Sequence, residues 1–291
     1  MRIAGALLGA LCVLYVSSAV GQAQQTCESP DALGVSRTIE IDTTGGPWFG
    51  APHGDESLLA PGEVVLTFDD GPSSRSTRAI LAALAAQCTK ATFFMVGEMA
   101  AAYPDVVREV AEQGHTLGTH TWSHRNLKWL PDDKMKAQIE TAFATVEKAA
   151  GEPIAPFFRY PYLSDSRATV SYLQSRNIGQ FAIDVDSFDW RTRNAANVVR
   201  RVMTTLKERG RGIILLHDIH ASTAAAVPEL LAQLKAKGYK IVHLRPKAPV
   251  QTLSSYETPG KETLHRHTNR RMRVHATAKP ADGSPAAWIT R

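Results

Sequence analysis

The sequence predicts an α/β fold in which parallel strands alternate with helices, and it favours closure of those strands into a barrel. Two observations carry this. From Glu63 onward, short apolar runs are separated by amphipathic stretches, the pattern of strands joined by helical crossovers. Polar residues fall repeatedly at the C-terminal ends of those runs, where a barrel mouth collects them; an open sheet, which the alternation also satisfies, gathers its ligand at one switch point. A chain of 291 residues that is 44% hydrophobic and 21% charged can bury the core such a fold needs.

The chain begins "MRIAGALLGALCVLYVSSAVGQAQQ". Arg2 precedes an apolar run that ends in small residues and Gly21-Gln22-Ala23, the layout of a secretory signal over 1–23. The run is also about long enough to serve as an uncleaved anchor. No later segment is long and apolar enough to span a membrane, so the mature chain is expected to be exported: periplasmic, envelope-bound or secreted. Once Cys12 leaves with the signal, Cys27 and Cys88 remain, either a disulfide in an oxidising compartment or two unrelated thiols.

Residues 24–62 are rich in Gly, Pro and Thr around one alternating run, "SRTIEID", which reads as a strand of an N-terminal extension packed on the main domain. The domain itself spans 63–245. Its strands are predicted at "VVLTF", "TFFMVG", "HTLGTH", "PFFRYP", "QFAIDV", "GIILLH" and "KIVHL". Its helices are predicted at 75–87, 105–113, 132–150, 168–176, 195–208 and 221–237. Pro104 and Pro131 stand near two helix starts, where a missing N–H costs little, and Gly114, Gly151 and Gly238 close three helices. No internal repeat and no Gly-rich phosphate loop is present.

Residues 246–291 lack hydrophobic period and hold much of the excess base behind the formal charge of +5, so they read as a disordered tail. Such a tail is either simply solvated or in electrostatic contact with an anionic envelope polymer. An exported chain without a basic, aromatic-interleaved face is a poor candidate for nucleic acid.

Five polar clusters carry the chemistry. Asp69 and Asp70 stand side by side where "VVLTF" ends; one reading makes them functional carboxylates, the other helix-capping residues with Ser73 and Ser74. His120 and His124 are four apart in "HTWSH", a spacing that lets a tight loop or one helical turn aim both imidazoles at a divalent metal of the zinc type. Thr121 excludes the H-E-x-x-H protease motif. Arg159 sits in "FFRYPYL" and must meet an anion if buried. "DVDSFDW" brings Asp189 and Trp190, and "GIILLH" ends in His217. Each cluster has a structural explanation by itself; five at successive strand ends are hard to assign to coincidence.

Taken in order, "TFDDGP", "HTWSH", "RYPY", "DSFDW" and "LLH" resemble the five motifs of the polysaccharide deacetylase family, the NodB-homology carbohydrate esterases of family 4. The resemblance covers roughly 63–244 and implies a distorted (β/α) barrel of the NodB-homology type. It implies that Asp70, His120 and His124 hold a metal, most often zinc with cobalt as an alternative, and that Asp69 is the general base. Arg159 would pair with Asp69 and keep it ionised, and His217, oriented by Asp189, would protonate the leaving amine. Tyr162 would offer its backbone N–H to the oxyanion, and Trp190 and Leu215 would wall the acetyl pocket. The implied substrate is an N-acetylated glycan: peptidoglycan, chitin oligomers or another polymer of N-acetylglucosamine. An O-acetyl esterase on xylan uses the same site, and a carbohydrate-binding protein that has lost its chemistry is the alternative outside enzymes. One departure stands out. Where the family often flanks its Pro-Tyr with Pro and Gly, this chain has Tyr160 and Leu163. The neighbouring carboxylates pose a geometric problem as well, because adjacent side chains on a strand point to opposite sides; a sharp turn at Gly71-Pro72 is expected to bring both to one mouth.

Overall fold

The computed structural model describes residues 31–53 and 58–256. The predicted signal segment, Cys27 and most of the predicted tail lie outside the described residues. The strands are β1 (Arg37–Ile41), β2 (Trp48–Phe49), β3 (Glu63–Asp69), β4 (Thr92–Met95), β5 (Thr116–Thr119), β6 (Phe157–Phe158), β7 (Gly179–Phe181), β8 (Val185–Asp186), β9 (Gly212–His217) and β10 (Lys240–Pro246). The helices are α1 (Ser76–Ala86), α2 (Gly97–Ala102), α3 (Pro104–Glu112), α4 (Asp132–Ala150), α5 (Arg167–Ser175), α6 (Ala195–Arg209) and α7 (Ala221–Ala236). Every pairing between the strands is parallel.

β3 is the strand on which the others are hung. It pairs along its length with β9 on one side; on the other it meets β10 at its start and β4 at its end. From β4 the sheet runs through β5 and β6 to β7. The predicted single strand "QFAIDV" is two strands here, and the reason is topological. Its first part, β7, pairs with β6, whereas β8 pairs with β9, so this one run passes from one end of the sheet to the other and closes a distorted ring. Asp184 bridges the crossing: its N–H donates to the Ile213 carbonyl and its carboxylate accepts the N–H groups of Ala51 and Ile213.

Strand alternation divides the apolar residues into two cores. Val64, Leu66 and Phe68 of β3 face the helices, with Phe93, Phe158, Ile214 and Leu216 from neighbouring strands. Val65 faces into the ring with Phe94, Phe157, Phe181 and Ile213. Phe181 is the hub of this inner cluster, its ring within 4.7–5.3 Å of those of Phe49, Phe94 and Phe157.

Local signals account for the helix limits. Ser166 caps α5 in a capping box with Thr169, and Asn194 caps α6. Gly114, Gly151 and Gly238 all take positive φ at or just beyond helix ends. The sequence reading missed α2, whose six residues are too few to show a period, and the two-residue strand β2. The predicted run "SRTIEID" forms β1, which pairs with β10. Past position 245 the described chain still packs on the domain: Val250 is buried and donates to the Ile154 carbonyl, and Arg176 bonds the Gln251 carbonyl. Cys88 is disulfide-bonded, and its partner lies outside the described residues. No helix among the described residues is long and apolar enough to cross a membrane.

Replacing Phe181 with Ala removes the hub of the inner core. A loss of about 3–5 kcal/mol of stability is expected, the usual cost of a buried Phe-to-Ala cavity, and urea unfolding measures it. A loss under about 1 kcal/mol would mean that the ring interior collapses around the gap.

Candidate active site

All five clusters meet at the C-terminal mouth of the ring. Asp69 is the last residue of β3, on the inward side with Val65 and Thr67, and is 2% exposed. Asp70 leaves the strand with φ 75°, a left-handed conformation that Asp tolerates better than most residues. This turn breaks the alternation and brings the second carboxylate to the same mouth; it begins one residue earlier than the expected bend at Gly71-Pro72. The capping explanation falls to Ser73, whose hydroxyl accepts the Ser76 N–H at the start of α1.

His120 follows β5, and His124 closes a tight loop in which Thr121 and His124 both have positive φ. A β-branched residue in that region is strained, by about 1–3 kcal/mol, so neighbouring elements must hold it. They do so through backbone bonds. Gly97 and Glu98 at the start of α2 donate to the carbonyls of Thr121 and Trp122, and Trp122 donates to the Gln138 carbonyl on α4. The Gln138 side chain accepts the Ser123 N–H. Gly97 is required for this approach, since a Cβ there would lie 2.6 Å from the Trp122 ring.

The ligand atoms of Asp70, His120 and His124 lie within 4.8 Å of one another. Asp70 Oδ1 is 3.3 Å from His124 Nε2 and 3.6 Å from His120 Nε2. Four-coordinate ligands each about 2.0–2.2 Å from a cation sit roughly 3.4 Å apart. Three details are compatible with a cation held there. Asp70 Oδ1 is buried without a hydrogen-bond partner. His120 donates its Nδ1–H to the Arg159 carbonyl at 2.7 Å, which leaves the Nε2 lone pair toward Asp70. Burial also holds both histidines below their usual pKa, His120 well below, so they offer neutral nitrogens.

On one side of this set lies Arg159, 0% exposed. One nitrogen of its guanidinium donates to Asp69 Oδ1 and to the Thr67 hydroxyl, both at 2.7 Å, and the rest reaches the carbonyls of Phe181 and Ala182. Asp69 Oδ2 is left 3.9 Å from His120 Nε2. Arg159 pairs with Asp69 as expected and favours its ionised form, but burial is the larger influence and pushes the carboxyl up to about 6.

On the other side, His217 of β9 lies opposite Asp69 of β3. Its Nδ1–H donates to Asp189 Oδ1 at 2.7 Å, and Asp189 Oδ2 accepts the His217 N–H and the Thr223 hydroxyl. Burial works to lower the His217 pKa, but the bond to Asp189 and its charge outweigh that and raise it to about 9. Asp189 is likewise pushed up by burial and pulled further down by His217 and Thr223, ending below its ordinary value.

The remaining predicted residues surround this centre. Leu215 is buried two residues before His217, on the same face of β9. Tyr162 has φ 60° and is 68% exposed, its ring 4.8 Å from that of His124. Trp190 is half-exposed beside Asp189. Tyr160, at the departure from the family pattern, points away from the mouth into a buried bond with Gln180 and stacks on Trp48.

Sequence reasoning missed Asp218 and two exposed apolar side chains. Asp218 is buried behind the Asp70 turn, accepts the Thr77 hydroxyl at 2.6 Å and keeps Oδ1 unpartnered. A Cβ at Gly71 would fall on that carboxylate. Its signal was a further acid directly after His217. Trp129 and Ile219 are exposed on the loops following His124 and His217; nothing in their spacing separates them from core residues.

A family model described as polysaccharide deacetylase matches residues 59–180. A peptidoglycan-N-acetylglucosamine deacetylase of Bacillus cereus is 30% identical over 208 residues, covering 70% of this chain and 93% of the relative. A peptidoglycan-N-acetylglucosamine deacetylase of Listeria monocytogenes is 35% identical over 182 residues, covering 62% of this chain; the chain spans only 37% of that relative's length. Among solved structures, the peptidoglycan deacetylase Bd3279 of Bdellovibrio bacteriovorus superposes with a TM-score of 0.68 at 33% identity, covering 77% of this chain and 63% of the other.

Two measurements test this geometry. Because the His217 pKa is raised above its unfolded value near 6.5, the bond to Asp189 adds stability that is complete below that value and is lost as pH rises through about 9. In Asp189→Asn the His217 ring signals in a nuclear magnetic resonance titration are expected to shift their midpoint downward, and the pH-dependent part of the stability gap should close above about 9. An unmoved midpoint would show that Asp189 does not set the charge of His217. Gly71→Ala is expected to displace the Asp70 turn and weaken metal uptake at least tenfold by calorimetry; unchanged uptake would show that Asp218 can move aside.

Proposed function

The chain belongs to the polysaccharide deacetylase family, and from that premise we propose that it is a metal-dependent hydrolase removing N-acetyl groups from an N-acetylglucosamine-containing polysaccharide outside the cytoplasm. The carrying observation is the grouping of three spare ligand atoms, on Asp70, His120 and His124, with the buried Asp69 carboxylate and the partly buried His217 imidazole nearby. The names of the similar proteins support the reaction class and favour peptidoglycan as the polymer and the cell wall as its location.

Asp70, His120 and His124 would hold the cation; two neutral imidazoles and a carboxylate suit zinc, with cobalt as a substitute. When bound there, it supplies Lewis-acid polarisation of the acetamide carbonyl and makes a water more acidic.

The protein's own groups divide the proton transfers. Asp69 has one oxygen occupied by Arg159, so Oδ2 is the atom that accepts the proton of the attacking water. A carboxyl near 6 is ionised at neutral pH and still basic enough for this work. His217, with a pKa near 9, enters protonated, and because Asp189 holds its Nδ1–H, the proton on Nε2 is delivered to the leaving amine. The Tyr162 N–H donates to the developing oxyanion, a role in which a fixed backbone dipole loses nothing to reorganisation. Leu215 and Trp190 bound the space for the acetyl methyl.

Substitution of the two adjacent carboxylates separates their roles. Asp69→Asn should keep its metal near stoichiometry while turnover falls by ~10²–10⁴, the usual cost of losing a general base, and added zinc should not rescue it. Asp70→Asn should lose metal and regain part of its activity in excess zinc. Metal content and rates of both purified variants, on peptidoglycan and on N-acetylglucosamine oligomers, decide the matter. If Asp69→Asn loses metal while Asp70→Asn keeps it, the assignment is reversed. Full deacetylation by chelator-stripped protein ends the mechanism.

A further inference from the structure

Beside the loop that carries Asp189, a group of arginines has no acid to answer it. Arg191 in the turn Asp189–Arg191 and Arg200 and Arg201 at the start of α6 line a cleft of about 350 Å³, together with Phe188 and Asn197. Arg193 continues the strip toward the centre: its Nη1 lies 3.1 Å from His220 Nδ1, and the His220 ring is 6.0 Å from that of His217.

Among the described residues none of these four arginines forms an ion pair; others such as Arg75, Arg108 and Arg245 also lack one, but three of these four share one cleft. The acids of the same loop are engaged elsewhere. Asp189 is buried against His217, and Asp186 accepts the Phe188 N–H. All four are exposed, and three of them lie against neighbouring side chains. The Arg201 guanidinium lies over the Phe188 ring at 4.6 Å, that of Arg191 over Trp190 at 5.2 Å, and Arg200 donates to Asn197. Stacking holds a guanidinium by its face and leaves its N–H edges free, the arrangement that receives a carboxylate with two parallel hydrogen bonds.

We propose that this cleft is a subsite for the carboxylates of an acidic glycan strand, the stem-peptide carboxylates of peptidoglycan, or the lactyl carboxylate where no peptide is attached, which chitin lacks, seated next to the sugar being deacetylated. The inference rests on the deacetylase reading and narrows its substrate class. The arginines act by attraction and register, so salt weakens the effect.

The test uses the full chain loaded with zinc. Sedimentation with insoluble peptidoglycan and with chitin is compared at low and at high salt, for the wild type and for the triple variant Arg191→Gln/Arg200→Gln/Arg201→Gln. The wild type is expected to prefer peptidoglycan at low salt. The variant should lose about tenfold of that preference, the sum expected for three exposed pairs. Converting the peptidoglycan carboxylates to amides should cost the wild type the same factor, an arm that does not depend on how the variant folds. Absence of a preference in the wild type, equal losses on both polymers, or indifference to amidation would each overturn the subsite. Binding requires no turnover, so a protein that passes these arms yet deacetylates nothing would sink the proposed activity alone. An active deacetylase that fails them would sink the subsite alone.

Discussion

The site depends on one buried cation. Arg159 has no exposure to solvent, and a guanidinium removed from water is costly unless its donors and its charge are all met. Here they are met from across the ring: by Asp69 and Thr67 on β3, and by the carbonyls of Phe181 and Ala182 where β7 ends. Those carbonyls lie at the seam, where the chain leaves one neighbouring strand to join another. The Phe94 ring closes one face of the guanidinium at 4.2 Å. The same residue's carbonyl orients His120. Closing the ring, placing the base and setting the tautomer of a candidate ligand are therefore consequences of one side chain and its backbone.

Around that anchor, the mouth is built from turns that most residues avoid. Asp70, Thr121, His124, Tyr162 and Phe188 all have positive φ, and each belongs to or adjoins a predicted site cluster. Such conformations persist only where surrounding structure determines them. The start of α2 and Gln138 within α4 do so for the His120–His124 loop, and Asp218 does so for the Asp70 turn. Strain here is the cost of aiming ligand atoms inward from loops whose strands are spaced by backbone pairing.

The two ionisable pairs that flank the cluster are alike in composition and opposite in effect. Asp69 with Arg159 and His217 with Asp189 are each an acid bonded to a base in a buried setting. For Asp69, burial prevails over the attraction of its partner and raises the carboxyl toward neutrality. For His217, the partner prevails over burial and keeps the imidazole charged. With the carboxyl at about 6 and the imidazole at about 9, a pH between the two leaves the first deprotonated and the second protonated, as a proton acceptor and a proton donor require.

Much of this protein was legible in its sequence because the signals are local. Apolar runs, helical periods and helix-closing glycines located most elements, and α4 spans the residues the pattern indicated. The five polar clusters could be placed at strand ends for the same reason. The division of labour between Asp69 and Asp70 came from likeness to a family, since two neighbouring carboxylates are chemically identical until one leaves the strand. Other features depended on residues far apart in the chain. The split of "QFAIDV" into β7 and β8 follows from which strands it must join, and the upward shift of Asp69 follows from depth of burial. The contact of Asp218 with Gly71, and the lack of an acidic partner among the described residues for Arg191, Arg200 and Arg201, follow from what packing brings near and what it leaves out. Periodicity reports which face of an element is apolar; only the folded chain decides what that face, or a charge beside it, will meet.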